Sequence, residues 1–308
     1  LQNAFGGKWQ RSDEGHLLRP AVAVYDVYDQ EDWRRRLYVR DDGVIYQPAP
    51  HIVKALLKAA GMMEMPGYRS RTYRLALDGE LFSDQAAGVP RPPEGNRVIA
   101  EREIPLPRSF ADRVPVRSLV ELMETRASRR RFSEEPLPLE DLSFLLWATQ
   151  GVREVLDRGH ALRTVPSAGC RHALETYLCI LNVEGIDQGI YRYLPLEHQL
   201  VFEHAPENLA GKMVRAVFGQ NYPAQAAVTF IWAAVPYRME WRYGIAAHKV
   251  IAIDAGHVCQ NLYLACEAIG AGACAMAAYD QEALDRLLQV DSVDEFTVYL
   301  ASVGKKPV

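Results

Sequence analysis

The chain has 308 residues, enough for one large domain or two, and 49% hydrophobic against 24% charged residues is the balance of a globular protein with a real core. A net charge of −4 and a pI near 6.1 exclude a general nucleic-acid binder, which carries a basic surplus. The five cysteines, Cys170, Cys179, Cys259, Cys266 and Cys274, are odd in number and form no CxxC pair, so reduced thiols and a cytoplasmic setting are expected. No metal is expected either: His248, His257 and Cys259 come near a ligand spacing but lack a fourth member. The start "LQNAFGGKWQ" has no apolar run of a secretory signal. Residues 250–279, the longest weakly charged stretch, contain Asp254, His257, Gln260, Asn261 and Glu267, too polar for a membrane span.

Residues 1–82 read as a small α+β unit. "AVAVYDVY" is strand-like, and "RLYVRDDGVIYQ" alternates about Asp42-Gly43, which predicts a hairpin. "PHIVKALLKAAG" predicts a helix, with Pro50 at its start, Ile52, Val53, Leu56 and Leu57 on one face, and Gly61 as its stop. Residues 83–117 contain Pro90, Pro92, Pro93, Pro105, Pro107 and Pro115, and so read as an extended connector lying on a surface. The expected boundary falls near residue 108, giving an N-terminal extension of residues 1–108 and a second domain of 109–308.

From there helices and strands alternate. Ser118 and Glu121 form a capping box for "SLVELMETRA", and "PLEDLSFLLWATQG" is a helix with Leu142, Leu145 and Leu146 on one face, closed by Gly151. "ETYLCILNVEG", "QGIYRYLP", "AAVTFIWAAVP" and "EFTVYLASVG" read as strands, the last two as central ones. A long helix from about Ile251 to Ile269 repeats Ile251, Ala255, Val258, Leu262, Ala265 and Ile269, and is almost uncharged elsewhere, as for a core or subunit-interface helix.

Four segments carry chemistry. "TRASRRRFSEE" gathers Arg126, Arg129, Arg130 and Arg131 around Ser128, and guanidinium forks with a hydroxyl suit a phosphate, although a solvated helix end also uses arginines. In "RTVPSAGCRHALETY", Pro166 fixes a turn, Ser167 and Ala168 are small, and Gly169 allows close backbone approach. A helix is expected to start just after it, with free N–H groups. "AIGAGACAMAAY" is nearly free of side chains after the long helix, but it lacks the dinucleotide fingerprint. "SVGKKPV" places Lys305 and Lys306 after a strand.

Taken in this order, "SRRRFSEEPLPLEDLSFLLWATQGV", "RTVPSAGCRHALETYLCILNVEG", "GIYRYLPLEHQL" and "RYGIAAHKVIAIDAGHVCQNLYLACEAIGAG" resemble the FMN-dependent nitroreductase family over residues 115–306. The resemblance is to its SagB-type branch of azoline dehydrogenases and oxidase domains. It implies an α+β three-layer fold with a central antiparallel sheet flanked by helices, and an intertwined homodimer with FMN between subunits. It further implies that Arg126, Ser128, Arg130 and Lys305 hold the FMN phosphate and ribityl chain, with Arg129 and Arg131 facing solvent. Pro166, Ser167, Ala168 and Gly169 then lie along the flavin ring, with Gly272 and Ala273 on another side.

The azoline dehydrogenases carry a lysine-tyrosine pair in a "KYG" segment beside the flavin; here the segment is Arg242, Tyr243, Gly244. Arginine does not give up its proton, so Tyr243 is expected as the acid/base and Arg242 as its cationic neighbour. His257 reads as a hydrogen-bonded buried histidine, and Tyr237, Glu240 and Trp241 as the mouth of the pocket. The leading expectation is an FMN oxidase or dehydrogenase acting on a heterocyclic or peptide-derived intermediate. An NAD(P)H-dependent nitro or quinone reductase is the alternative. A third possibility is a scaffold whose residues 1–108 dock a carrier or precursor peptide. Neither nucleic acid nor membrane is an expected partner.

Overall fold

In the computed structural model the chain divides into two compact units, Leu1–Leu81 and Phe82–Val308. The described residues are 83–307 without 86–87, 96–101, 111–113 and 158–159, together with four short strands of the first unit. Those four are β1 (Gln10–Arg11) pairing antiparallel with β2 (Leu17–Leu18), and β3 (Tyr38–Val39) pairing with β4 (Ile45–Tyr46). The second pair is the hairpin expected about Asp42-Gly43, with Tyr38 opposite Tyr46. The expected strand at 21–28 and helix at 50–61 lie outside the described residues.

The second unit is built on a seven-stranded sheet. In chain order its strands are β5 (Glu103–Pro105), β8 (Leu174–Ile180), β9 (Gly189–Leu194), β10 (Gln199–His204), β11 (Val228–Ala234), β12 (Ala271–Met276) and β13 (Phe296–Lys305). They lie in the order β12-β13-β11-β8-β9-β10-β5, and every neighbouring pair is antiparallel. A separate hairpin, β6 (Val152–Asp157) with β7 (His160–Arg163), stands beside the sheet.

Period-two alternation sorts the sheet's side chains into two cores. Leu178, Phe230, Trp232, Ala301 and Val303 pack with Leu142, Leu145 and Leu146 of α2 (Leu139–Gln150) and with Ile251, Ala255, Val258 and Leu262 of α5 (Ala247–Ala268). Their alternates Tyr177, Cys179, Ile231, Ala233 and Leu300 pack with Leu209 and Met213 of α3 (Leu209–Ala216) and with Leu284, Leu287 and Leu288 of α6 (Gln281–Leu288). The result is the three-layer α+β arrangement with a central antiparallel sheet.

Two further helices border the site. The helix α1 (Leu119–Thr125) starts at Ser118, whose Oγ accepts the Glu121 N–H at 3.1 Å, and buries none of its residues. The other, α4 (Tyr237–Tyr243), ends at Gly244.

Parts of the Pro-rich segment are anchored in the second unit, although most of its described residues stay at least partly exposed. Residues 103–105 form the edge strand β5 on β10, Leu106 and Phe110 are buried, and the Phe110 ring packs on Phe144 and Trp147 at 5.8 and 5.3 Å. Glu94 is buried against Arg163 at 2.8 Å, and Arg163 also donates to Gln150. Proline density excludes a regular interior element, but it leaves an edge strand open, because one side of that strand needs no donors.

Candidate active site

The arginine segment follows α1 in extended form. Ser128 bridges in parallel to Ala273, the Arg129 N–H donates to the Ala273 carbonyl at 2.8 Å, and the Ser133 N–H donates to the Lys305 carbonyl at 2.9 Å. Residues 128–133 thus run along the ends of β12 and β13. The approach is close at Gly272, where a Cβ would come within 3.1 Å of the Arg129 side chain. "AGACAM" is a largely buried strand at one edge of the sheet.

Tyr263 of α5 organises this corner. Its hydroxyl accepts the Ala275 N–H at 2.8 Å and shares a 2.9 Å hydrogen bond with Ser128 Oγ, while the Arg126 guanidinium lies over its ring at 5.3 Å. Ser128, Arg130 and Arg131 are exposed, and Lys305 pairs with Glu135 at 3.4 Å. Arg129, expected in solvent, turns inward instead. It lies 3.8 Å from the buried Glu267, which also takes the Lys306 ammonium at 2.7 Å. The buried carboxylate draws it in.

The turn at Pro166–Gly169 sits toward the other end of α5. No helix follows it. A single 3-10 turn, Ala168–Cys170, contains left-handed Gly169 (φ 58°) and Cys170 (54°); His172 beyond it is also left-handed (45°), and β8 begins two residues after that. The turn is held by Asp254, whose Oδ1 accepts the Ala168 N–H at 3.3 Å, and the Ser167 side chain bonds to the same carboxyl. Ser167 Oγ accepts the His172 N–H at 2.9 Å. Burial raises the Asp254 carboxyl above its ordinary range, and the bonds from Ser167 and Ala168 oppose the shift. His257, expected buried, is 43% exposed, with Nδ1 3.9 Å from Asp254 Oδ1.

Arg242 and Tyr243, at the end of α4, pack directly on this turn. A Cβ on Gly169 would meet Tyr243 Oη at 2.7 Å and Arg242 Cδ at 2.8 Å. The Arg242 guanidinium lies 5.7 Å over the Tyr243 ring. The structure therefore brings the expected acid/base pair and the glycine turn into one place. Asp254 and Tyr263 are nine residues apart on α5, so turn and arginine corner are separated by roughly 13 Å along the helix axis.

Beneath the turn lies a group of buried charges. Glu175 pairs with Arg238 and, at 3.1 Å, with Arg192. Burial pushes its carboxyl up, but the two guanidiniums outweigh burial and hold it at about 2. His172 is kept neutral, lowered to about 3 by burial and then by the Arg163 charge. In α4, burial raises Glu240 to about 7, helped by Asp294 and Asp84. Sequence reasoning missed Asp254, Tyr263, Glu267 and Arg171 as site members. The available signal was two acids in an otherwise almost uncharged helix.

The nitroreductase family profile matches residues 123–305. The chain belongs to the nitroreductase family. As a family member it is an oxidoreductase, and the matched span takes in the arginine segment, the glycine turn, α4, α5 and the last strand. This nitroreductase-family chain is 32% identical over 189 residues to the candidate nitroreductase MJ1384 of Methanocaldococcus jannaschii, covering 61% of this chain and 91% of that one. A second relative, the trifolitoxin-processing protein TfxB of Rhizobium leguminosarum, is 30% identical over 115 residues, 36% of this chain and 31% of TfxB.

Among solved structures, a candidate nitroreductase from Ralstonia eutropha aligns with TM-score 0.56 and 27% identity over 71% of this chain and 99% of its own. The E. coli microcin synthetase McbBCD complex, with truncated pro-MccB17 bound, aligns with TM-score 0.50 and 17% identity over 82% and 98%, a likeness of fold. Among the described residues, no helix is long and apolar enough to cross a membrane.

Proposed function

We propose that this chain is an FMN-dependent dehydrogenase or oxidase of the SagB type, taking two electrons from a heterocyclic, azoline-like or peptide-derived intermediate. The observation that carries the reading is the packing of Arg242 and Tyr243 on Gly169, which puts a proton-transfer group over the turn expected to face the flavin. The 30% identity with a protein named for trifolitoxin processing supports a peptide-derived substrate.

The donor set fits FMN. Arg126, Arg130 and Lys305 are cations and Ser128 is an exposed hydroxyl around the ends of β12 and β13, the chemistry a phosphate monoester requires. In this reading Pro166–Gly169 lie along the ring, with Gly272 and Ala273 as nearby backbone. FMN, when bound, supplies the acceptor for hydride and with it the two-electron chemistry. Tyr243, acting in its phenolate form beside the Arg242 cation, would take the proton that the substrate loses, because the guanidinium stays protonated and can only orient or attract. Asp254 holds the Ser167–Ala168 backbone in place under the substrate.

A homodimer belongs to the same proposal. Val116 and, in α1, Leu119, Val120 and Met123 are exposed apolar side chains, as is Ile253 of α5, and a second copy would cover them. Residues 1–108 would then dock the precursor peptide or carrier.

The 32% identity with MJ1384 favours the second reading, a nicotinamide-driven reductase. Anaerobic stopped-flow absorbance near 450 nm decides between them. Flavin-loaded protein mixed with NADH or NADPH should stay oxidised for minutes, and bleaching within seconds sinks the oxidase reading.

A further inference from the structure

Two residues beyond Gly169, Arg171 is 1% exposed, and its Nε and Nη2 atoms are buried without a hydrogen-bond partner among the described residues. A guanidinium does not escape this by losing its proton, and an uncompensated buried cation is among the costliest arrangements in a folded chain. The Trp241 ring, 5.2 Å beneath it, offsets only part of the charge. Two of its ionic neighbours make matters worse. Arg91 and Arg242 bring like charge to bear, and with burial they lower the Arg171 pKa, against the opposing pull of Glu94. Glu94 gives its Oε1 to Arg163 Nη2 and Nε at 2.8 and 3.2 Å, and its buried Oε2 makes no hydrogen bond to Arg171.

The two free donors are the Nε and Nη2 of one guanidinium. That edge offers two parallel N–H bonds, the geometry that a planar carboxylate accepts bidentately. It lies beside the turn on which Arg242 and Tyr243 pack. We propose that Arg171, with Arg242 at its rim, receives a carboxylate of the substrate, so that the substrate class is an acid: a heterocycle or peptide-derived intermediate with its carboxylate next to the reacting ring. This assignment rests on the reading of the Gly169 turn as the reaction site. The substrate carboxylate completes a half-built ion pair, and a neutral analogue leaves Arg171 unpaired. Discrimination against the neutral analogue is therefore built into the buried cation rather than added at the surface.

The test uses the full chain and a pair of near-isosteric probes, benzoate and benzamide. FMN binding is measured first by quenching of flavin fluorescence, and the probes are then titrated by flavin absorbance and, on FMN-free protein, by calorimetry. Benzoate is expected to bind saturably and benzamide at least about tenfold more weakly, the discrimination of one charge-assisted bidentate contact. Arg171→Gln should weaken benzoate about tenfold and leave benzamide unchanged, and Arg171→Lys should recover part of the loss.

Equal affinity for the two probes overturns the proposal, as does an Arg171→Gln protein that binds benzoate like the parent. Should Arg171→Gln not fold, the benzoate-to-benzamide ratio of the unmodified protein still decides. Absence of FMN binding sinks the proposed function, whereas the calorimetry judges the carboxylate site separately.

Discussion

Replacing Gly169 by alanine tests the centre of the site. Gly169 sits at φ 58°, and a new Cβ would lie 2.7 Å from Tyr243 Oη and 2.8 Å from Arg242 Cδ. The left-handed conformation costs an alanine about 1–2 kcal/mol. In a unit of this size that lowers the melting temperature by roughly 2–8 °C. The contact adds a second effect. To regain van der Waals separation, Tyr243 Oη must retreat by roughly 0.7 Å. Arg242 is exposed and can swing aside, so most of the strain is relieved by moving the very side chains proposed to act.

A displacement near 1 Å at a reacting group costs up to about a hundredfold in rate. Gly169→Ala should therefore lose about 10- to 100-fold in kcat with little change in secondary structure. Circular dichroism melting and steady-state turnover on one preparation give both numbers. An alanine variant that melts within a degree of the parent and turns over normally refutes both the left-handed turn and the placement of Tyr243 upon it.

Further outcomes follow from particular contacts. Arg130→Ala, at an exposed site, should leave the melting temperature unchanged but weaken FMN binding about 10- to 100-fold, measured by fluorescence quenching, as expected for a lost charge-assisted bond. Glu175→Gln removes the carboxylate that Arg238 and Arg192 share, leaving Arg192 the more distant Glu295 at 3.7 Å, and should cost about 3–5 kcal/mol in urea unfolding. Glu240 has a folded pKa raised from 4.5 to about 7, so the folded state binds the extra proton between those values. Its contribution is full below pH 4.5 and lost as pH rises through 7; Glu240→Gln should therefore gain on the parent protein in melting temperature between pH 5 and pH 8.

The helices at 119–125, 139–150 and 247–268 were legible because each shows a cap or a helical period, and β8, β9, β11 and β13 because they are dense in β-branched and aromatic residues. The strand β12 was not. Its alanines and glycines have weak strand preference, and the close approach of the Arg129 side chain to Gly272 is a contact between residues 143 positions apart. The helix expected after Gly169 failed for a related reason. Small residues after a proline look like a cap, but Asp254, far along the chain, already takes the Ala168 N–H. The arginine segment was read as alternating in and out, and Arg129 broke that pattern because Glu267 is buried beside it. In the last two cases the missing information was a partner on α5.

The strand at residues 103–105 has a bearing on how the sheet avoids other sheets. A seven-stranded antiparallel sheet has two rims, each a row of backbone groups on which a foreign strand could grow. One rim, β12, is already met by Ser128 and Arg129. The other is closed by three residues ending in Pro105, which has no N–H to offer, with Pro107 two positions on. Shortened to begin at residue 109, the chain would lose that guard and leave Leu200 and Val201 on a bare edge. The Pro-rich stretch is thus the barrier that keeps one copy's sheet from joining the next into an aggregate.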